Sequence, residues 1–461
     1  MQSVSEWAAL NFGNCELGDK RRTRRLVRLA EQVASHPAAS LPDQTEHWKD
    51  LKAAYRLFDG EEVTFQAIAQ SHWELTRQAA RGRCLVIGDT TELDFGRLRK
   101  IARIGETGNG SGQGFLLHNA LLVQAQTAAI VGVAGQAIYY RRKNRTSHRR
   151  QNASQRLARE RESQVWNQVI DDIGPPAAGV EYVHVFDRGA DSFEIYCHLL
   201  QSRSGWVIRA AKLNRYVLAG PQQRRMTLQN YLRQLKPLGR YTLQLRARPS
   251  QPARQALLEV RVGRVHIPRP RHVSSEIRRL KQQPIAMNVV EVVEIDPPGG
   301  ATPIHWILFT SLPVGSFEEA WLVIEYYELR WLIEEYHKAL KTGCRTESRQ
   351  LQTADRLEAF VGLTSVVALR LLQLKSLARV APEIPAQRVV PRVWLQMLTL
   401  ARPHLSRVHD LTVGQFYRQV AMLGGFLGRT GDGDPGWITI WRGWEKLNTF
   451  VYAANKLKLT A

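Results

Sequence analysis

Residues 114–140 read GFLLHNALLVQAQTAAIVGVAGQAIYY, two apolar runs (114–125 and 129–140) joined by a short connection. A connection that short makes the pair an antiparallel hairpin. His118, Asn119 and Gln124 interrupt the first run. On the N-terminal side stands CLVIG (84–88), a short apolar strand ending at Asp89. On the C-terminal side, after a polar helix expected over roughly 154–172, stands EYVHVF (181–186), a second apolar strand ending at Asp187. A helix over 190–201 and a strand at GWVIRAA (205–211) follow. A carboxylate at a strand end projects from a rigid element toward a cleft, although a lone Asp there is usually a turn or cap residue.

The strand order, with a hairpin after the first Asp, then a helix, then a parallel strand ending in the second, resembles an RNase H-like fold. Residues 1–80 read as helical: Leu26, Leu29, Ala30 and Val33 recur at helical spacing, as do Ala53, Ala54, Leu57 and Phe58. Between about 215 and 303 the pattern becomes alternating, in YTLQLRAR, ALLEVRVGRVHI and MNVVEVVEI, with Pro and Gly breaks. IHWILFTSL (304–312) predicts a strand, 316–341 one long helix and 354–376 another. The last ~85 residues read as mostly helical, with Trp437, Trp441 and Trp444 on one helix face as core. The expected fold is an α+β multidomain chain with an RNase H-like α/β core, a mixed sheet flanked by helices. Its divisions are an N-terminal helical domain (1–80), core, first part (81–214), β-rich insertion (215–303), core, second part (304–369) and a C-terminal helical domain (370–461).

The chain has 461 residues, 44% of them apolar, which excludes wholesale disorder. Its apolar stretches are broken, one by Arg370, short of the ~18 clean residues of a membrane span. The N-terminus, MQSVSEWAALNFG, lacks the basic start and apolar core of a secretory signal. Cys15, Cys84, Cys197 and Cys344 lie far apart, which argues against a zinc site or a disulfide framework and fits a reducing cytoplasm. A net charge of +22 calls for a polyanionic partner. The charge is clustered in GDKRRTRRLVR (18–28), RRKNRTSHRR (141–150) and a tract from Arg261 to Lys281. A single basic run is usually a solvated face. Three of them without acidic counterweight shift the expectation to nucleic acid.

YELRWLIEEYHKALK (327–341) adds a third element. At ~100° per residue, Tyr327, Arg330, Glu334 and Lys341 share a sector of about 60°. Glu335 lies ~100° from Glu334, so Glu334 is the inward carboxylate. The plain alternative is a solvated face carrying an ordinary Arg330–Glu334 pair. Asp89, Asp187 and Glu334 together form a hard oxygen-ligand set that favours Mg²⁺, with Mn²⁺ as substitute, over zinc. Such a set can hold two ions ~3.5–4 Å apart for in-line phosphoryl displacement. Like charges raise one another's pKa, so packed carboxylates call for cations.

GDTTELDFG (88–96), VFDRGADSFEIY (185–196) and YELRWLIEEYHKALKTG (327–343) resemble the three motifs of the DDE transposases of the insertion-sequence-four family, Tn-five type. The third is that family's Tyr–Arg–Glu–Lys motif, complete here. DRGAD carries Gly189 where some members have Glu, leaving Asp187 and Asp191 intact. LGDKRRTRRLVRLAEQ resembles the family's N-terminal end-binding region, VIRAAK (207–212) a DNA-touching segment, HWILFTSLPV the strand before the motif helix, and GWEKL with GGFL the dimerisation domain.

The resemblance implies cut-and-paste transposition: nick, hairpin, hairpin opening and joining of the 3′ ends to target DNA. It implies Asp89, Asp187 and Glu334 as catalytic metal ligands with two ions per site, and Tyr327, Arg330 and Lys341 on phosphates. It implies Trp306 stacking a flipped base, where the plain reading is a strand core residue. Arg209, Lys212, Arg21, Arg22, Arg24 and Arg25 become DNA contacts, and the 141–150 tract a track for flanking or target DNA; His337 is read as structural. The partners expected are double-stranded DNA, at element ends and target, and a second copy in a homodimeric synaptic complex, with no membrane. The location is the bacterial cytoplasm, at the nucleoid. Two alternatives stand beside this: an RNase H-like nuclease or resolvase, and a catalytically silent transposase-derived DNA-binding protein.

Overall fold

The computed structural model describes residues 3–45, 47–96, 101–141, 162, 164–245, 252–280, 284–300, 302–407 and 411–457. Most of the 141–150 tract and the first part of the helix expected at 154–172 lie outside these. Four longer N-terminal helices come first, with a single helical turn at Leu41–Gln44 between the second and third: α1 (Val4–Phe12), α2 (Lys20–Ser35), α3 (Trp48–Phe58) and α4 (Phe65–Gln78). Asp19 caps α2 by accepting the Arg21 N–H at 2.7 Å, and Leu26, Leu29, Ala30 and Val33 are buried along its inner stripe. The periodicity of 1–80 is therefore a packing face.

Twelve described strands form one mixed sheet: β1 (Gly82–Asp94), β2 (Gly105–Thr107), β3 (Gly112–Gln124), β4 (Ile130–Tyr139), β5 (Val180–Phe186), β6 (Gly205–Arg209), β7 (Tyr216–Ala219), β8 (Arg224–Thr227), β9 (Pro237–Leu245), β10 (Arg254–Ile267), β11 (Ile285–Ile295) and β12 (His305–Thr310). The order is β2-β3-β1-β5-β6-β12-β11-β10-β7-β8, with β4 on β3 and β9 on β10. β5 runs parallel to both β1 and β6; β3 and β4 form the expected antiparallel hairpin. The 215–303 strands are not a separate sheet. β12 pairs with β6 on one side and β11 on the other, so the insertion extends the core sheet.

Two expectations need correction. β1 does not stop at Asp89. Its parallel partner β5 ends with Ile87 beside Val185, but β3 continues to pair it as far as Asp94, and Leu93 is buried there. The helix expected over 316–341 is split into α7 (Phe317–Glu328) and α8 (Trp331–Lys338), followed by a π-turn at Ala339–Gly343. At the split, the N–H groups of Arg330, Leu332 and Ile333 bond three residues back rather than four, tightening the chain.

α5 (Gln164–Ile173) and α6 (Phe193–Gln201) cover one face of the sheet, where Trp166, Ile170 and Tyr196 pack with Phe186 and Ile208. On the other face α9 (Ala354–Val380) joins α4 and α8: Leu357, Phe360 and Val367 share a core with Ile68, Leu85, Ile87, Ile333 and Tyr336. Among the described residues α9 alone is long and apolar enough to cross a membrane, at a mean hydropathy of 1.6, but 89% of that window is buried inside the protein. It is a core helix. α10 (Arg392–Ala401), α11 (Val413–Leu423) and α12 (Trp437–Lys456) form a further core around Trp394, Phe416, Trp441 and Trp444.

Candidate active site

The β1/β5 register places Ile87 beside Val185, so Asp89, inside β1, and Asp187, the first residue past β5, each stand two residues further on along neighbouring chains. Gly88 permits the close approach, because a Cβ there would lie 2.4 Å from the Phe186 ring. Asp187 Oδ1 accepts the Gly189 N–H at 2.8 Å, and Asp89 Oδ1 accepts the Thr90 N–H at 2.7 Å. Arg330, at the split between α7 and α8, bridges the third carboxylate: its Nη1 is 3.0 Å from Asp89 Oδ2 and 3.4 Å from Glu334 Oε1. Burial, then the Asp187 charge, push the Asp89 carboxyl up to about 6, although Thr90 N–H and Arg330 pull it down; Glu334 adds to the rise.

Glu334 and Glu335 diverge as expected. Glu335 is buried against Lys375 of α9, leaving Glu334 on the site side. Tyr327 is mostly buried, and its ring meets half-buried Trp306 edge-on with centroids 5.9 Å apart. Arg209 ends β6 beside Asp187, because Phe186 pairs with Ile208; its Nη2 donates to the His305 carbonyl at 3.1 Å. Lys212 is exposed just beyond. Lys341 lies in the π-turn, 3.5 Å from Glu347. The structure thus gathers Asp89, Asp187, Glu334, Arg330, Tyr327 and Trp306, with Arg209 at the rim.

The N-terminal arginines divide. Arg22 pairs with Glu62, and Arg25 pairs with buried Asp50 at 3.0 Å and donates to its carbonyl at 2.7 Å. Both are therefore engaged in ion pairs, Arg25 with a buried carboxylate and Arg22 with an exposed one, and the tract does have an acidic counterweight. Arg21 and Arg24 are exposed on α2. In the third tract Arg261 likewise pairs with Glu259 and Glu291.

Two groups escape sequence reasoning. Asp191, fully buried in its side chain, pairs with Arg215 and accepts the Ala211 N–H at 2.7 Å, clamping the loop that carries Lys212. Asn119, fully buried, bonds His337 at 3.0 Å. Its signal was present as a polar residue inside an apolar strand.

Among the described residues no three His, Cys, Asp or Glu side chains stand close enough to hold an ion as they are. Arg330 supplies the positive charge between Asp89 and Glu334. The donor set nonetheless fits a hard divalent cation: it is all carboxylate, and burial with mutual repulsion holds Asp89 above its usual range. Carboxylates on a rigid sheet and helix, rimmed by guanidinium, ammonium and aromatic groups, make a site suited to phosphoryl transfer on nucleic acid.

Residues 135–370 match the family described as Transposase DDE domain, residues 4–63 the Transposase DNA-binding family, and residues 366–459 the Transposase Tn5 dimerisation domain. The chain belongs to the DDE transposases, of the Tn5 type. It is a DNA transposase; the DDE domain implies a metal-dependent nuclease and transferase, and the family generally uses divalent ions. The other two matches support DNA binding and homodimer formation. Asp187 and Glu334 fall within the DDE match; Asp89 precedes it and joins the site through β1.

Proposed function

We propose that the chain is a cut-and-paste transposase that binds element-end inverted repeats, nicks, forms and reopens a hairpin, and transfers the 3′ ends to target DNA. The observation that carries this reading is that Asp89 and Glu334 share one guanidinium, with the Asp187 charge near enough to push the Asp89 carboxyl up. The sheet order β4-β3-β1-β5-β6, with helices on both faces, supports an RNase H-like core. Asp89, Asp187 and Glu334 would hold Mg²⁺, with Mn²⁺ substituting, as two ions per site. When bound, these supply Lewis-acid activation of the attacking oxygen and stabilisation of the leaving oxygen.

The chain's own residues do the positioning. Arg330 moves from Asp89 to a DNA phosphate, Lys341 and the Tyr327 hydroxyl hold neighbouring phosphates, and Trp306 stacks a base displaced at the hairpin. Arg209 and Lys212 steady the flanking strand. Arg21 and Arg24 are the α2 cations for end binding, while Arg22 and Arg25 hold the helix in place. The units expected at 1–80, 81–214, 215–303, 304–369 and 370–461 are the working divisions. Two copies pair two ends in a synaptic complex, since paired cutting needs two sites. It works at the bacterial nucleoid.

Asp89→Asn, Asp187→Asn and Glu334→Gln test the reading on a duplex carrying the inverted repeat that flanks the gene. Each should abolish cleavage while leaving end binding within about threefold, because phosphate-contacting cations carry most of the affinity. Metal-dependent cleavage that survives in any of the three removes that residue from the set.

A further inference from the structure

We propose that Asn119 and His337 are positioning residues whose mutual hydrogen bond fixes the Glu334 helix against the Asp89 strand, with a polarity set by Trp73. The inference rests on the reading of Asp89 and Glu334 as a metal-holding pair. Asn119 lies directly across from Asp89 in the β1/β3 register, so both side chains leave the same face of the sheet. His337 stands three residues after Glu334 on α8, one turn along. The 3.0 Å bond from Asn119 Nδ2 to His337 Nε2 therefore ties the neighbour of one carboxylate to the neighbour of the other.

The direction of every bond in the network follows from its far end. An indole N–H can only donate. Trp73, on α4, donates to Gln136 Oε1 at 3.1 Å. The Gln136 amide nitrogen then faces Asn119 and donates to its Oδ1 at 2.6 Å. That leaves the Asn119 nitrogen to donate, to the Leu117 carbonyl at 3.1 Å and to His337 Nε2. His337 must accept at Nε2, so its ring is neutral with the proton on Nδ1. Burial above all, with Lys341 and Arg330 nearby, disfavours the charged ring. The Ser365 hydroxyl of α9 shares its one proton between the Gly362 carbonyl at 2.9 Å and Gln136 Oε1 at 3.2 Å, and Tyr336 of α8 donates to the Ser365 carbonyl at 3.0 Å.

Asn119, Gln136 and His337 are all buried. Apolar side chains would fill the same space without the cost of desolvating three polar groups. What the polar network adds is direction, because each of its buried bonds holds its two partners in one relative geometry. Catalytic geometry is sensitive on that scale: a displacement of ~1 Å costs about 10²-fold in rate.

The test uses the full-length protein, Mn²⁺ as metal probe, and the duplex carrying the gene's flanking inverted repeat. Asn119→Ala and His337→Ala should keep duplex binding within about twofold, yet slow single-turnover nicking by about 10- to 100-fold. Both should also raise, by at least about fivefold, the Mn²⁺ concentration needed for half of the metal-induced rise in Tm. His337→Gln, whose amide oxygen can accept from Asn119, should recover most of both losses. The ring ¹⁵N signals of His337 should show the Nδ1–H form. Nicking and Mn²⁺ response within twofold of the parent in both alanine variants would overturn the proposal, as would an Nε2–H ring. So would nicking, duplex binding and Tm falling together, since that is loss of core packing alone. If Asp89→Asn still nicks, it is the carboxylate reading that fails, while the ring tautomer still judges the latch.

Discussion

Arg330 Nη1 lies 3.0 Å from Asp89 Oδ2, joining a residue of the motif helix region to a strand laid down far earlier in the chain. The guanidinium is the local countercharge for Asp89 and Glu334, while Asp187 is held chiefly by the Gly189 N–H. Without metal, the site is therefore a place of stored repulsion. Asp89→Asn should raise the Tm of the metal-free protein at pH 7.5 by a few degrees, corresponding to about 1–2 kcal/mol. Arg330→Ala should lower it by a similar amount. Calorimetric scans with and without Mg²⁺ check this; an unchanged or lower Tm for Asp89→Asn would show that the repulsion is already relieved.

The split among the α2 arginines separates stability from affinity. Arg25→Ala leaves buried Asp50 with Arg28 as its remaining ion-pair partner, 3.1 Å away, and should cost about 2–3 kcal/mol of stability. Arg21→Ala and Arg24→Ala should leave Tm within a degree and weaken end binding, lowering the log–log salt slope by about 0.9 for each phosphate no longer neutralised. Thermal melts and salt-titrated binding separate the two effects; a salt slope unchanged in both exposed variants would remove α2 from the DNA.

Trp306 distinguishes two steps of one reaction. In the proposed reaction the half-buried ring beside Tyr327 receives the base that the hairpin bend expels, whereas the nick expels none. Stacking returns ~1–3 kcal/mol, so Trp306→Ala should slow hairpin formation by up to about two orders of magnitude and spare the nick. An abasic nucleotide at that position should restore part of the rate. The readout is a time course on end-labelled duplex resolving nicked, hairpin and cut species; equal slowing of both steps would make Trp306 a packing residue.

Four buried histidines make the fold acid-labile. Burial, as the leading cause, pushes His72 down to about 4 and His118, His184 and His337 to about 3. The native rings stay neutral while the unfolded chain takes up protons below about 6.5. Stability is thus full above that pH and falls as pH drops toward 3–4. At pH 5 each ring accounts for a loss of about 2 kcal/mol, against a total of ~5–15. Urea unfolding at stepped pH should show a slope approaching four protons; uptake of fewer than two would mean that these rings are solvated or charged in the native protein.

Strand existence was legible in the runs around Asp89 and Asp187 because apolar period and break residues are local signals. That Asp89 lies inside β1 was not, since it depends on β5 ending while β3 continues. The helix split at Arg330 had no Pro or Gly to announce it. Arg22 and Arg25 looked free because their partners, Glu62 and Asp50, sit on other elements. Asn119 showed only as an interruption, because the histidine it bonds lies on α8, beyond the whole insertion. Glu334 was separable from Glu335 by helical angle alone, a purely local property that the split leaves intact.

β12 is hydrogen-bonded to β6 on one side and β11 on the other, so it closes a gap between strands made at very different times on the ribosome. Until residues 305–310 emerge, β6 is an open edge and the two aspartates stand in a half-finished sheet. Long-range pairing of this kind forms slowly and late. A nascent or prematurely terminated chain therefore holds two carboxylates without the third, and its bare edge marks it for aggregation or degradation. Glu334 itself follows β12 in the chain, so the three carboxylates share one sheet-and-helix frame only when most of the core has been made.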